Sequence, residues 1–403
     1  MRLVPEIQTA NILALTSELF SKTRIINLPE NVVYSFQDTL NVLLHAATST
    51  TNSLESASID LRIKTPIKNV PSADSIHNYI NSNSIDYILS SFRRINNEII
   101  QLAGLKGTHQ DAAIDFHDVP YYGDRNTPGI RGIKPKNGTS WGYSFCTLDI
   151  IGDIKLTLDV IDINGLTKNY SILIESMLQR IETMGINVRT LFMDREFFNS
   201  STISTLHTSN KNYVIGAKSN KKINAMLLEY KKKFGQTSTF FEYQFEKGGP
   251  KFIIVAIVNP KYDPNVKKDN GNNEYHLFAT NTPVNIESDF IKKIPEEYRK
   301  RWNIETGYRV KNAFKIRTCS KSPVARTLFF LIQCILYNIE SLLKTAIEID
   351  AFKLKSAISD AIATVIKQGH KLLHITTLQN FMKSMGEFNE NRTKALRERL
   401  KVT

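Results

Sequence analysis

The chain has 403 residues, with 52 Lys and Arg against 39 Asp and Glu, a formal net charge of +13. Its 41% hydrophobic content can fill a sizeable core in two or three domains, and the basic balance favours a polyanionic partner, DNA or RNA. No GxxxxGK[ST] run, HExxH pair or CxxC pair occurs, which excludes the common nucleotide-driven motors and leaves zinc without its usual ligand spacing, so any metal must be held by oxygen.

Cys146, Cys319 and Cys334 are odd in number and widely spaced, the pattern of reduced thiols in a cytoplasmic protein. No run reads as a membrane span, and the N-terminus lacks an apolar signal core, so no membrane partner is expected.

Apolar residues at helical spacing predict helices over Glu6 to Lys22 and Asn31 to Ala47, followed by a Ser/Thr-rich linker from Ser49 to Ser56. Ser72 to Ile80, a polar break at Asn81 to Ser84, and Ile85 to Leu102 read either as a helix-turn-helix or as an ordinary packed pair. Strands follow. Ala112 to Asp115 is a short buried-type run ending in aspartate, and Tyr143 to Ile151 with Ile154 to Ile161 form a hairpin about Gly152-Asp153. A helix over Gly165 to Met184 leads to Val188 to Asp194, a second strand ending in aspartate. Ser200 to His207 and Asn212 to Ala217 then supply another helix and strand. This order describes an α/β mixed sheet with flanking helices.

Lysine clusters Lys218 to Lys222, Lys231 to Lys233 and Lys267-Lys268 then alternate with strand candidates Thr239 to Phe245, Phe252 to Val258 and Tyr275 to Thr280. Helices over Val324 to Leu343 and Phe352 to Lys367 and a charged stretch, Asn389 to Lys401, complete the chain. The expected organisation is 1–105 helical and DNA-end binding, 106–217 and 295–345 as two parts of one core, 218–294 a β-rich insertion, and 346–403 helical.

The stretch Tyr298 to Lys315 is read as one helix, with Pro295, Glu296 and Glu297 in its first turn. At about 100° per residue, Tyr298, Arg301, Arg309 and Asn312 fall within roughly 40° of Glu305. The plain reading is a solvated helix in which Glu305 pairs with Arg301 or Arg309. Trp302, Tyr308 and Phe314 belong either to the core or, as aromatic faces, to an unpaired base.

Three stretches carry a resemblance: Ile114-Asp115-Phe116-His117-Asp118-Val119-Pro120-Tyr121-Tyr122-Gly123, Met193-Asp194-Arg195-Glu196-Phe197-Phe198, and Tyr298, Arg301 and Glu305 at Y-(2)-R-(3)-E spacing. Together they resemble the insertion-sequence DDE transposases of archaeal type, whose ribonuclease-H-like core is interrupted by a β insertion. The resemblance implies Asp115, Asp194 and Glu305 as catalytic carboxylates and metal ligands, and DNA contacts from Tyr298 and Arg301. Trp302, Arg309, Asn312, Lys315, Lys218, Lys221 and Lys222 are further candidates for DNA contact, with His117, Asp118 and Glu196 supporting the carboxylates. The sequence departs from the family where Asn312 replaces a motif lysine, with Lys311 and Lys315 as neighbouring alternatives.

Phosphodiester cleavage and strand transfer need an activated oxygen, a stabilised leaving oxygen and neutralised phosphoryl charge. Two Mg²⁺ ions, or Mn²⁺ in their place, on a few carboxylates meet those needs. The expected partners are double-stranded DNA, both the element's terminal inverted repeats and the target, and a second copy in a homodimer. A catalytically inactive DNA-binding remnant and a nuclease that cuts without joining are the other readings.

Overall fold

The computed structural model describes residues 6–50, 52–64, 69–163, 169–263, 265, 273–282, 290–347 and 350–368. The lysine pair Lys267-Lys268 and the stretch Asn389 to Lys401 lie outside them. Five helices come first: α1 (Glu6–Thr23), α2 (Phe36–Thr48), α3 (Leu54–Lys64), α4 (Ala73–Asn81) and α5 (Ile85–Leu102). Ser35, Ser72 and Ser84 cap α2, α4 and α5, each accepting a backbone N–H from the first turn.

Nine strands build one sheet: β1 (His109–Pro120), β2 (Arg131–Lys136), β3 (Thr139–Ile151), β4 (Lys155–Asp162), β5 (Asn187–Met193), β6 (Tyr213–Gly216), β7 (Thr239–Tyr243), β8 (Phe252–Val258) and β9 (Tyr275–Thr280). Its spatial order is β2-β3-β1-β5-β6-β9-β8-β7, with β4 also paired to β3. β3 runs antiparallel to β1 and β4, whereas β1, β5 and β6 are parallel. The run β4-β3-β1-β5-β6 is the ribonuclease-H-like order. Crossover helices α6 (Tyr170–Thr183) and α7 (Ser200–Thr208) make those parallel connections, as parallel neighbours require. Ala112, Ala113 and Ile114 on β1 are all fully buried, because helices cover both faces of this central strand.

The region expected as a separate β insertion opens instead with a helix, α8 (Lys221–Phe234), and its strands continue the main sheet through antiparallel β6–β9 pairing. Lys221, Lys222 and Lys231 to Lys233 therefore lie on α8. Alternating apolar residues made β7 to β9 legible as strands, but periodicity carries no information on which edge they join.

Four helices remain: α9 (Phe290–Arg299), α10 (Trp302–Ala313), α11 (Pro323–Ile347) and α12 (Ala351–Gln368). One continuous apolar cluster takes in Ile12, Leu43, Phe92, Leu148, Leu331 and Ile358, so α1, α2 and α12 share a core with the sheet. By length and composition Pro323–Lys344 within α11 passes as a membrane span, contrary to the sequence expectation, but 94% of its apolar window is buried inside the protein. It is the central core helix.

The α4–α5 pair is used for packing. Arg93 Nε donates to buried Asp159, and Asn96 Nδ2 donates to the Thr157 and Leu158 carbonyls at 2.9 Å, which binds α5 to β4. The opposite face of α5 stays exposed at Asp86, Arg94, Asn97 and Gln101.

The single helix expected over Tyr298 to Lys315 is two helices. Lys300 N and Arg301 N donate to the Glu297 and Tyr298 carbonyls, three residues back, and Asn303 and Ile304 continue this tighter pattern. Pro295 sits inside α9 rather than in its first turn.

Candidate active site

Parallel pairing of β1 with β5 sets Ile114 opposite Met193, so the next residues, Asp115 and Asp194, emerge side by side. Asp194 follows the last residue of β5, where its Oδ1 accepts the Arg195 N–H and caps a short 3₁₀ turn over Arg195–Phe197. Asp115 is not at a strand end. β1 runs five residues beyond it, paired to β3 throughout, and its Oδ1 accepts the Phe116 N–H at 2.9 Å.

Glu305 joins them through Arg301. One guanidinium nitrogen donates to Glu305 Oε1 at 2.7 Å and another reaches Asp115 Oδ2 at 3.4 Å. The plain helix-pair reading of Glu305 with Arg301 is thus present, but the same arginine also bridges to the sheet. Arg301 is 7% exposed, lies over the Tyr298 ring at 5.5 Å, and has a buried Nε without a hydrogen-bond partner. Burial pushes the Asp115 carboxyl up to about 7; Arg301 opposes this, while Asp194 and Glu305 add to it. Three acidic groups therefore share one electrostatic neighbourhood.

Tyr298 turns inward. Its hydroxyl donates to the Met193 carbonyl at 3.2 Å, and its ring packs edge-on against Phe278. A Cβ at Gly216 would stand 2.6 Å from that hydroxyl, so glycine there permits the approach. Tyr298, expected as a DNA contact, anchors α9 beside Asp194 and also lines the adjoining cleft. Burial raises its hydroxyl to about 12.

The expected supporting residues reach the carboxylates only through neighbours. His117 is sandwiched between Tyr308 and Phe330 at 4.4 and 5.1 Å, and burial holds its imidazole down to about 3, with Lys311, Lys136 and Lys315 acting in the same sense. Asp118 accepts the Ser144 hydroxyl, and Glu196 is held by the Tyr170 hydroxyl and by Lys134. None of these contacts is with the three carboxylates.

Lys311, one alternative to the motif lysine, is buried at 1% exposure and pairs with Asp149 at 2.7 Å. Asp149 also accepts the Thr147 and Thr157 hydroxyls, and Thr147 meets the Tyr308 hydroxyl. This network locks α10 onto β3, and the sequence did not reveal it, because Asp149 lies in a strand with no motif around it. Lys311→Met should lower stability by about 3–5 kcal/mol by leaving a buried charge alone, and adding Asp149→Asn should recover much of the loss. Urea unfolding of the three chains checks this.

An open cleft of about 1470 Å³ runs from Asp194 between the α8–β9 region and the α9–α10 junction, lined by Lys218, Leu228, His276, Arg301 and Trp302. Trp302 is 60% exposed at this cleft. Arg309 and Asn312 are exposed on α10. Lys221 is exposed outside the cleft lining, and Lys222 donates to the Gln244 carbonyl over the Tyr243 ring.

Residues 159–339 match the family model described as the transposase DDE domain. That segment is similar to the transposase DDE domain. The match takes in Asp194 and Glu305 and begins after Asp115, which the β1–β5 register supplies. Among solved structures, the DDE segment and its flanks are similar to a cryo-EM piggyBac transposase synaptic complex with hairpin DNA. That likeness has a TM-score of 0.60 and 13% identity, covering 94% of this chain and 84% of the other. At that identity it speaks for the shared fold. No curated protein matches.

Proposed function

We propose that the chain cuts DNA at the ends of a mobile element and joins the freed strand to target DNA, using Asp115, Asp194 and Glu305. The observation that carries this is the β1–β5 register, which sets two acidic residues side by side and tethers a third through Arg301. All three are oxygen donors suited to Mg²⁺ or Mn²⁺, although no close group of three metal-binding side chains occurs among the described residues. They would hold two ions, with the Glu305 carboxylate released from Arg301, and the ions would supply activation of the attacking oxygen and neutralisation of the leaving one.

The protein's own groups do the rest. Rigid strands fix the two aspartates, and α10, locked by Lys311 and Asp149, fixes the backbone of Glu305. Arg301, with its unsatisfied Nε, is suited to a phosphate oxygen. The adjoining cleft, with Lys218 and Trp302, suits a strand of DNA passing the carboxylates. A second copy would engage the other element end in a homodimer.

The test is incubation with Mg²⁺ and supercoiled plasmid carrying the element's ends. Cut and joined products are expected. Cut products alone would reduce the reading to a nuclease, and neither product, with DNA still bound, would leave a binding remnant.

A further inference from the structure

A second cationic site lies outside the cleft. Lys136 ends β2, and Lys315 and Arg317 flank the buried Ile316 in the segment after α10. The Arg317 N–H donates to the Asn52 carbonyl, which fixes this segment against the start of α3. Arg326 of α11 stands nearby but is engaged. Its Nε donates to the Ser320 carbonyl, and its guanidinium lies between the Tyr121 and Tyr143 rings.

Lys136, Lys315 and Arg317 form no ion pair among the described residues, whereas Lys134, two residues earlier on β2, pairs with Glu196. Lys315 is half-buried. Burial holds its ammonium below the usual lysine range, and the neighbours that press it further down are Lys136, Arg317 and Arg326. Gathering like charges around a partly desolvated lysine destabilises the free chain, and an anion of repeated negative charge reverses the sign. In the sheet order β2 lies on the β3 side of β1 and β5, while β6 and β9, which line the cleft, lie on the other, so the cleft and β2 flank the strands that carry the aspartates.

We infer that Lys136, Lys315 and Arg317 form a phosphate-binding site for the backbone of duplex DNA, on the β2 side of the carboxylates. This deepens the proposed function and rests on it for its place along the DNA path. The cleft receives DNA on one side of the three carboxylates and the cluster grips backbone on the other.

The test is binding of a fluorescent DNA duplex to the full chain across a salt series, without divalent metal. The triple variant Lys136→Gln, Lys315→Gln, Arg317→Gln should reduce the slope of log affinity against log salt by about 2–3, at about 0.9 per lost phosphate contact. A control of equal charge change, Lys64→Gln, Lys233→Gln, Lys251→Gln, removes lysines already paired with Asp60, Glu229 and Glu242, and should leave the slope close to wild type. Lys315→Gln alone should keep or raise the melting temperature of the free chain. Should the triple variant fail to fold, Lys136→Gln at the exposed end of β2 still reports a slope loss of about one contact.

A slope unchanged in the triple or in Lys136→Gln overturns the inference, and cutting by the wild-type chain in the plasmid assay would then leave the active-site reading intact. Conversely, a slope loss in a chain that never cuts DNA supports the phosphate site while removing the proposed reaction.

Discussion

Single replacement of Asp115, Asp194 or Glu305 by alanine should lower Mg²⁺-dependent DNA cleavage by roughly 10⁴-fold or more, the scale seen when one member of a catalytic unit is lost. The effect follows from shared geometry. Neighbouring strands deliver Asp115 and Asp194 together, and Arg301 ties Glu305 to Asp115. Double variants should be little worse than single ones, because groups that act as a unit fail together. Glu196→Ala and Asp118→Ala are the comparison, since Tyr170 and Lys134 hold the first and Ser144 the second. Near wild-type cleavage by Glu305→Ala with a dead Glu196→Ala would move the third carboxylate to the Asp194 turn.

Asp115→Asn should make the metal-free chain more stable at pH 8, by about 2–4 kcal/mol. The sign follows from the raised carboxyl. In the folded chain Asp115 loses its proton near 7 rather than at the ordinary 3.8, so between those values the folded state holds a proton that the unfolded state has released. Stability therefore falls as pH rises from about 4 to 7 and stays lowered above it. Asparagine removes that penalty, less what Arg301 loses with its partner. At pH 4 both chains should unfold at nearly the same denaturant concentration. Adding Mg²⁺ at pH 8 should stabilise the wild-type chain and leave the asparagine variant nearly unmoved. A variant less stable than wild type at pH 8 would show that pairing with Arg301 outweighs burial.

These two results weigh against each other in the same residue. A carboxylate that lowers the stability of the free chain is retained where chemistry needs it, a common feature of active sites. Tyr298 and Gly216 show the opposite design, a close approach whose visible effect is to hold α9 beside Asp194.

Much of this was legible in the residues. Strand runs ending at Asp115 and Asp194 and a helical face around Glu305 were local signals, and the resemblance to DDE transposases joined the three acidic positions into one expected site. The structure brings those positions into one neighbourhood. What escaped the sequence depends on pairing across the fold. Asp115 read as a strand end because polar residues follow it, yet β3 pairs with β1 as far as Pro120. Lys311 was weighed only as an alternative to the motif lysine, because nothing local marks Asp149 as its buried partner. The break between α9 and α10 was hidden since every residue from Tyr298 to Asn303 tolerates a helix, and the tightened turn shows only in backbone hydrogen bonds. The continuation of the sheet from β6 to β9 is a choice of edge, which no single segment encodes.

The shared core of the earliest and latest helices sets when this protein can finish folding. α1 and α2 pack against α12, and the His45 ring meets Ser359 across 314 residues of sequence. During synthesis the faces of α1 and α2 that meet α12 stay uncovered until α12 has left the ribosome, and such non-local closure is slow. The same closure makes the finished fold depend on α12, although Asp115, Asp194 and Glu305 have all been synthesised before it.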